Sequence, residues 1–118
     1  MADEALDKAL EKTRQAEITT VGRTSGHRIS LPVWFLRRAD ALYLLPVGGS
    51  RRNWYRNVRQ ARTIGVAAGH ARHASPVTAI TDPAAVREVV YAFRAVYGNR
   101  DVEAYYPNPD VAVEVPLA

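Results

Sequence analysis

Hydrophobic residues recur along this chain in two rhythms. They fall at every second position over several short stretches, and at every third or fourth position over three others. Residues 3–15 set Leu6, Ala9 and Leu10 on one side of a helix with charges elsewhere; so thin a stripe predicts a surface position or frayed ends. Residues 18–21 read as a strand that ends in Gly22-Arg23-Thr24-Ser25-Gly26, a turn by composition. From 28 to 37 the pattern alternates, with Ile29, Leu31, Val33 and Phe35 on one face and Arg28, Ser30, Pro32, Trp34 and Leu36 on the other. Pro32 has no ladder donor, which places it at an edge or a bulge. Ala39-Asp40 makes a hairpin turn into a strand over 42–47.

Gly48-Gly49-Ser50 breaks that strand, and Ser50 is a good N-cap for a helix over 51–60. Trp54, Asn57, Val58 and Ala61 share one face of it. Two strands follow, at 63–68 and 73–81, paired through the Gly69 region. Asp82-Pro83 is a strong helix start, with Asp as cap and Pro at the first helical position. Val86, Val89, Val90, Phe93, Val96 and Tyr97 form its stripe and Gly98 ends it. Tyr105-Tyr106-Pro107-Asn108-Pro109 reads as a stiff loop before a closing strand at 111–115. About six short strands with two or three flanking helices predict an α+β, mainly β fold, a small antiparallel barrel. The 118 residues suit one domain, with 1–16 as an N-terminal helix and 17–118 as the barrel.

Composition narrows the chemistry. The chain has no cysteine, which excludes disulfides, iron–sulfur clusters, thiol catalysis and thiolate zinc sites. Its acidic N-terminal stretch is unlike a signal peptide, and no run is apolar for long enough to span a membrane, so a cytoplasmic location is expected. The net charge of +4 is unevenly spread: residues 23–72 carry ten arginines and one acid, Asp40, so the rest of the chain is net acidic. Arginine suits bidentate recognition of phosphate or carboxylate. Arg51 and Arg52 open the middle helix, where a cation costs about 0.3–1 kcal/mol against the helix dipole. That arrangement becomes reasonable if an anion sits there, with Gly48 and Gly49 leaving backbone N–H groups accessible. The Gly22–Gly26 loop with Arg28 is a second candidate grip for phosphate oxygens. Asn57 faces inward beside Trp54, where an unpaired amide costs about 1–3 kcal/mol, so it bonds to backbone or to a ligand.

Other constellations are thin. His70 and His73 fall on opposite faces of likely strand sequence with no carboxylate near them, so no metal site is expected. No general base or nucleophile stands out and the catalytic residues stay unknown; an enzyme of this kind would rely on a cofactor for its reactive atom. The arginines interleaved with Trp34, Tyr43, Trp54 and Tyr55 could in principle serve nucleic acid. A glycine turn leading into a helix suits a compact anion better than a polymer, and no nucleic acid is expected.

Taken in order, Thr19 to Gly26, then Pro32-Val33-Trp34-Phe35, Leu42-Tyr43-Leu44, and Gly48-Gly49-Ser50 before Trp54-Tyr55-Arg56-Asn57-Val58, form a recognisable series. It resembles the deazaflavin (coenzyme F420)-dependent nitroreductase family, whose fold is the split β-barrel also used by FMN-binding proteins. The resemblance implies that Arg23, Thr24, Ser25, Gly26, Arg28, Val47, Gly48, Gly49 and Ser50 meet the anionic part of the cofactor, with Trp54 and Asn57 in support. Pro32, Val33 and Trp34 would lie against its ring, and Trp34, Tyr97 and Tyr106 would line the substrate pocket. It further implies hydride transfer to a small planar acceptor (a quinone, enone or nitroaromatic), and pairing into a homodimer. Relatives carry lysines at the positions of Thr24 and Val47, and here Arg51 and Arg52 are the charges left to replace them. FMN is the alternative cofactor. The non-enzymatic alternative is a carrier or sensor of flavin, haem or lipid on the same barrel.

Overall fold

The chain is described here by a computed structural model that covers residues 4–38 and 40–117, the side chains of Glu4 and Asp7 excepted. It begins with helix α1 (Glu4–Glu11) and strands β1 (Gln15–Val21), β2 (Arg28–Trp34), β3 (Leu36–Arg38) and β4 (Ala41–Leu44). A 3-10 turn (Gly49–Arg51) then leads into α2 (Asn53–Ala61). Strands β5 (Thr63–Ala68), β6 (Ala71–Pro76) and β7 (Thr78–Ile80) follow, and then α3 (Pro83–Tyr97), α4 (Asn99–Tyr105) and β8 (Ala112–Pro116).

The strands make two antiparallel four-stranded sheets, ordered β2-β1-β5-β6 and β3-β4-β8-β7. Two edge strands of the first sheet run directly into two edge strands of the second. β2 passes into β3 through Phe35, and β6 passes into β7 through Val77. The sheets are therefore joined along both sides by bent strands, as two ladders and not as one closed ring. This corrects the expected count of about six strands: the stretches 28–37 and 73–81 are each two strands. The break at Phe35 is visible in burial, because Phe35 and Leu36 are both buried where alternation would expose one. Phe35 joins the core between the sheets, and Leu36 joins a second cluster beneath α3. Pro32 does sit on an edge strand, as its missing donor requires.

Two further expectations change. The N-terminal helix stops at Glu11 and not near 15, because Thr13 Oγ1 takes the Gln15 N–H at 3.1 Å and β1 begins there. It lies on the surface with Ala5, Lys8 and Glu11 exposed, yet its thin stripe is firmly packed: Leu6 and Leu10 are buried in the main core, each contributing about 1.5–3 kcal/mol. After Gly98 the chain forms α4, an element the sequence pattern does not predict, which ends at Tyr105, the first residue of the expected loop. Arg38 pairs with Ala41 across the expected two-residue hairpin, whose Ala39 lies outside the described residues. The start of α3 is as read: Asp82 caps it, accepting from the Ala85 N–H at 3.1 Å, with Pro83 first in the helix. No helix among the described residues is long and apolar enough to cross a membrane.

Candidate functional site

The β1–β2 hairpin and the segment from Leu45 to Trp54 wall a cleft of about 250 Å³, with Tyr105 and Tyr106 completing its lining. Pro32, Val33, Trp34, Val47, Trp54 and Tyr106, six of the residues expected to contact cofactor or substrate, line it together. Because β2 is an edge strand, half of its backbone groups on this side lack a strand partner and face outward. The lining is mostly apolar, and Arg52 is its cation. Arg52 is exposed and has no ion pair among the described residues.

The cation sits at a telling position. Arg52 is the N-cap of α2, no side chain caps that helix and no acid lies in its first turn. The first N–H groups of a helix have no intrahelical partner, and its N-terminus carries a partial positive charge. An uncapped helix start with an unpaired guanidinium beside an apolar cleft is a place where an anion attached to a flat molecule fits.

Ser50 is not the cap. It lies in the 3-10 turn ahead of α2, and both of its donors go to Asp110: the N–H to Oδ1 at 2.8 Å and the hydroxyl to Oδ2 at 2.6 Å. Gly49 is packed so closely against the same carboxylate that an added Cβ would collide with it. Gly48, at φ 84°, forms the third position of a turn closed by the Gly49 N–H to the Pro46 carbonyl at 3.0 Å. The glycine turn thus already holds an anion, one supplied by the chain itself. Serine hydrogen bonding keeps the Asp110 carboxyl below its ordinary range.

The Gly22–Gly26 loop joins β1 to β2 at the end of the hairpin away from Trp34. Gly22 and His27 bond across it, Gly26 N–H returns to Gly22 at 2.8 Å, and Ser25 Oγ accepts from the His27 N–H at 3.1 Å. Arg23 nevertheless leaves the loop to bond with α2. Its Nη1 donates to Asn57 Oδ1 at 2.8 Å and its backbone N–H to the same oxygen at 3.2 Å, and Nη2 comes within 3.5 Å of Asn53 Oδ1. The side-chain oxygen of the inward Asn57 is therefore satisfied by protein. It fixes Arg23 on the same helical turn whose neighbours Arg52 and Trp54 wall the cleft. Thr24 is exposed on the loop.

Two expected residues fall elsewhere. Arg28 lies on the outer face of the first sheet, lining a separate depression with Thr19, Arg72 and His73. Tyr97 lies behind Trp34 and outside the cleft lining, its ring stacked on the indole at 4.5 Å and 6°. Its hydroxyl bonds to Phe35, accepting from the N–H at 3.3 Å and donating to the carbonyl, and lies 3.2 Å from the Arg14 carbonyl. Tyr97 thus pins the bend between the sheets. One face of Trp34 is thereby covered, so a bound ring can meet only its other face or its edge. Tyr106 is buried at the cleft wall, and burial pushes its phenol up to about 12.

No sequence signal marked Asp110, which acts across sixty residues of chain. Tyr105 could have been found, since it adjoins Tyr106 and meets Trp34 edge-on at 5.1 Å. His70 is in a turn, and the His73 ring nitrogen bonds to the Pro116 carbonyl at 3.0 Å. No group of three or more His, Asp or Glu among the described residues could hold a metal. Of the four aromatic residues that nucleic acid would stack on, Trp54 is 4% exposed and Tyr55 1%, while Trp34 and Tyr43 are half-buried.

No family model matches the sequence, and no curated protein does either. Solved structures do share the fold. An F420-H2-dependent reductase aligns over 86% of this chain and 93% of its own, with TM-score 0.67 and 15% identity. A haem storage protein from Vibrio cholerae aligns over 99% and 90%, with TM-score 0.74 and 9% identity. A pyridoxamine 5'-phosphate oxidase-related, FMN-binding protein from Nostoc punctiforme aligns over 96% and 75%, with TM-score 0.62 and 14% identity. At such identities the likeness establishes architecture: the chain has the α+β fold of split-barrel cofactor-binding proteins, built here as two antiparallel sheets with four α-helices among the described residues.

Proposed function

We propose that this chain is a single-domain oxidoreductase that binds a flavin-like cofactor in the Trp34 cleft and passes a hydride to a small planar acceptor. Coenzyme F420 is the first choice and FMN the alternative. The observation that carries the reading is the unpaired Arg52 at the uncapped start of α2, beside an apolar cleft bounded by Trp34 and an open strand edge.

In this reading Pro32, Val33 and Trp34 hold the ring, with the outward backbone groups of β2 offering hydrogen bonds to its polar edge. Val47 and Trp54 pack on the opposite wall. Arg52 and the first N–H groups of α2 receive the phosphate. The free donors of Arg23, held one turn further along by Asn57, receive the acidic tail that distinguishes F420 from FMN. The cofactor supplies hydride, which agrees with the lack of an acid–base pair in the cleft. The protein's part is to place two flat molecules in contact and to exclude water. Tyr106 Oη keeps its proton at neutral pH and can donate a hydrogen bond to a carbonyl or nitro oxygen of the acceptor.

The carrier alternative keeps FMN in the same cleft without turnover. A haem version would need Tyr105 or Tyr106 as its axial ligand, because no His, Met or Cys lines the cleft. The test is turnover. Reduced F420 mixed with protein and a soluble quinone should be oxidised faster than without protein, and Arg52→Ala should raise KM for the cofactor at least tenfold. No acceleration with F420 or reduced FMN across a panel of quinones, enones and nitroaromatics would leave only the carrier reading.

A further inference from the structure

We infer that the opposite side of α2 carries a second binding site, in which Tyr55, Arg59 and Arg62 receive the carboxylate or phosphate of a small molecule with a compact apolar body. A cleft of about 330 Å³ lies between the last turn of α2 and β7, lined by Arg59, Arg62 and Thr78 at its rim and by Val58, Val77 and Val113 beneath. Tyr55 forms part of its wall and is 1% exposed. Its hydroxyl is buried and has no hydrogen-bond partner, which is the feature that calls for a ligand. Arg59 lies within interaction reach of that phenol and opposes the upward push of burial, to which the Asp110 carboxylate adds.

Every polar side chain that lines the cleft is a donor or can act as one. A phenol and two guanidinium groups have no carboxylate among the cleft's lining residues. Neither Arg59 nor Arg62 has an ion pair among the described residues. Arg62 is also held in place. It takes a left-handed backbone at φ 62°, with its N–H on the Val58 carbonyl at 2.7 Å and its carbonyl accepting from the Val77 N–H at 3.2 Å. A donor-rich rim without a carboxylate, over an apolar floor, recognises an anionic head on an apolar body. The structural alternative is that both arginines merely favour the negative end of the helix dipole; that role would leave the Tyr55 hydroxyl unpartnered and would not select among anions. The site is independent of the Trp34 cleft.

The experiment is a thermal-shift and calorimetric titration of the whole protein with inorganic phosphate, acetate and benzoate at constant ionic strength. Saturable binding with a rise in Tm of several degrees is expected for phosphate or benzoate. Phosphate above acetate identifies the phosphate class, and benzoate above acetate identifies a carboxylate on an apolar body. Tyr55→Phe keeps the ring and removes only the hydroxyl, and it should weaken binding about tenfold or more. Arg59→Gln, at an exposed position, should do the same, and Arg59→Lys should restore part of the loss. In an Arg52→Ala background, which removes the anion contact of the Trp34 cleft, the same saturable, Tyr55-dependent binding should remain. The inference is overturned if none of the three anions binds saturably. It is equally overturned if Tyr55→Phe and Arg59→Gln bind as tightly as the parent, or if Arg52→Ala abolishes binding.

Discussion

Both hydrogen bonds accepted by the side-chain oxygen of buried Asn57 come from Arg23, one from its backbone N–H and one from its guanidinium. The pair fastens the β1–β2 loop to α2 behind the cleft. Asn57→Ala removes the shared acceptor and orphans the Arg23 N–H, so it should cost about 1–3 kcal/mol. Arg23→Ala keeps the backbone bond and should cost less. Urea unfolding of both variants checks this order; a loss below about 0.5 kcal/mol for Asn57→Ala would contradict it.

The Asp110–Ser50 contact has a pH signature. Hydrogen bonding lowers the Asp110 carboxyl in the folded chain relative to its ordinary 3.8. The stabilisation is therefore present above the unfolded value and disappears as pH falls through the folded one. Asp110→Asn should be less stable than the parent at pH 7, with the gap narrowing below about pH 4. Thermal melts of the two proteins from pH 7 to 3 read this directly, and a gap that does not change with pH would refute it.

Tyr97 anchors the bend between the sheets through its hydroxyl and supports Trp34 through its ring. Tyr97→Phe should lower stability by about 1–2 kcal/mol while preserving the near-ultraviolet dichroism of the tryptophans. Tyr97→Ala should disturb that signal as well, since the stacked partner of Trp34 is gone. Equal spectra for the two variants would show that the stacking does not position the indole.

Tyr106 titrates in the alkaline range. Its folded phenol is raised from 10.0 to about 12 by burial, so its contribution is complete below pH 10 and is lost as pH rises toward 12. The parent should lose stability over that window, and Tyr106→Phe should lose less. Denaturant midpoints measured at pH 9, 10 and 11 make the comparison.

Local chemistry explains which parts of this fold could be read from sequence. Asp82, Pro83 and Gly98 mark α3 because cap, first position and terminator are all local, and the bounds of β5 agree with its alternation. Ser50 misled because a cap residue and a residue captured by a distant carboxylate have the same local sequence. The bends at Phe35 and Val77 left no local mark, since the chain stays extended while it changes sheets. α4 has a single buried residue, Val102, too few to make a stripe. At the site, the Pro32-Val33-Trp34 wall and the α2 side chains could be anticipated. The side of the sheet that Arg28 occupies and the role of Tyr97 depend on register and on tertiary contacts.

The most direct test of the Trp34 cleft is an equilibrium titration of the protein with oxidised F420, and in parallel with FMN, followed by tryptophan fluorescence at physiological salt. Saturable quenching is predicted, with Trp34→Phe removing most of the signal change. Arg52→Ala should weaken either cofactor about tenfold or more, and Arg23→Ala should weaken F420 alone. A flat titration with both cofactors, or unaltered affinity in Arg52→Ala, would contradict the proposed site.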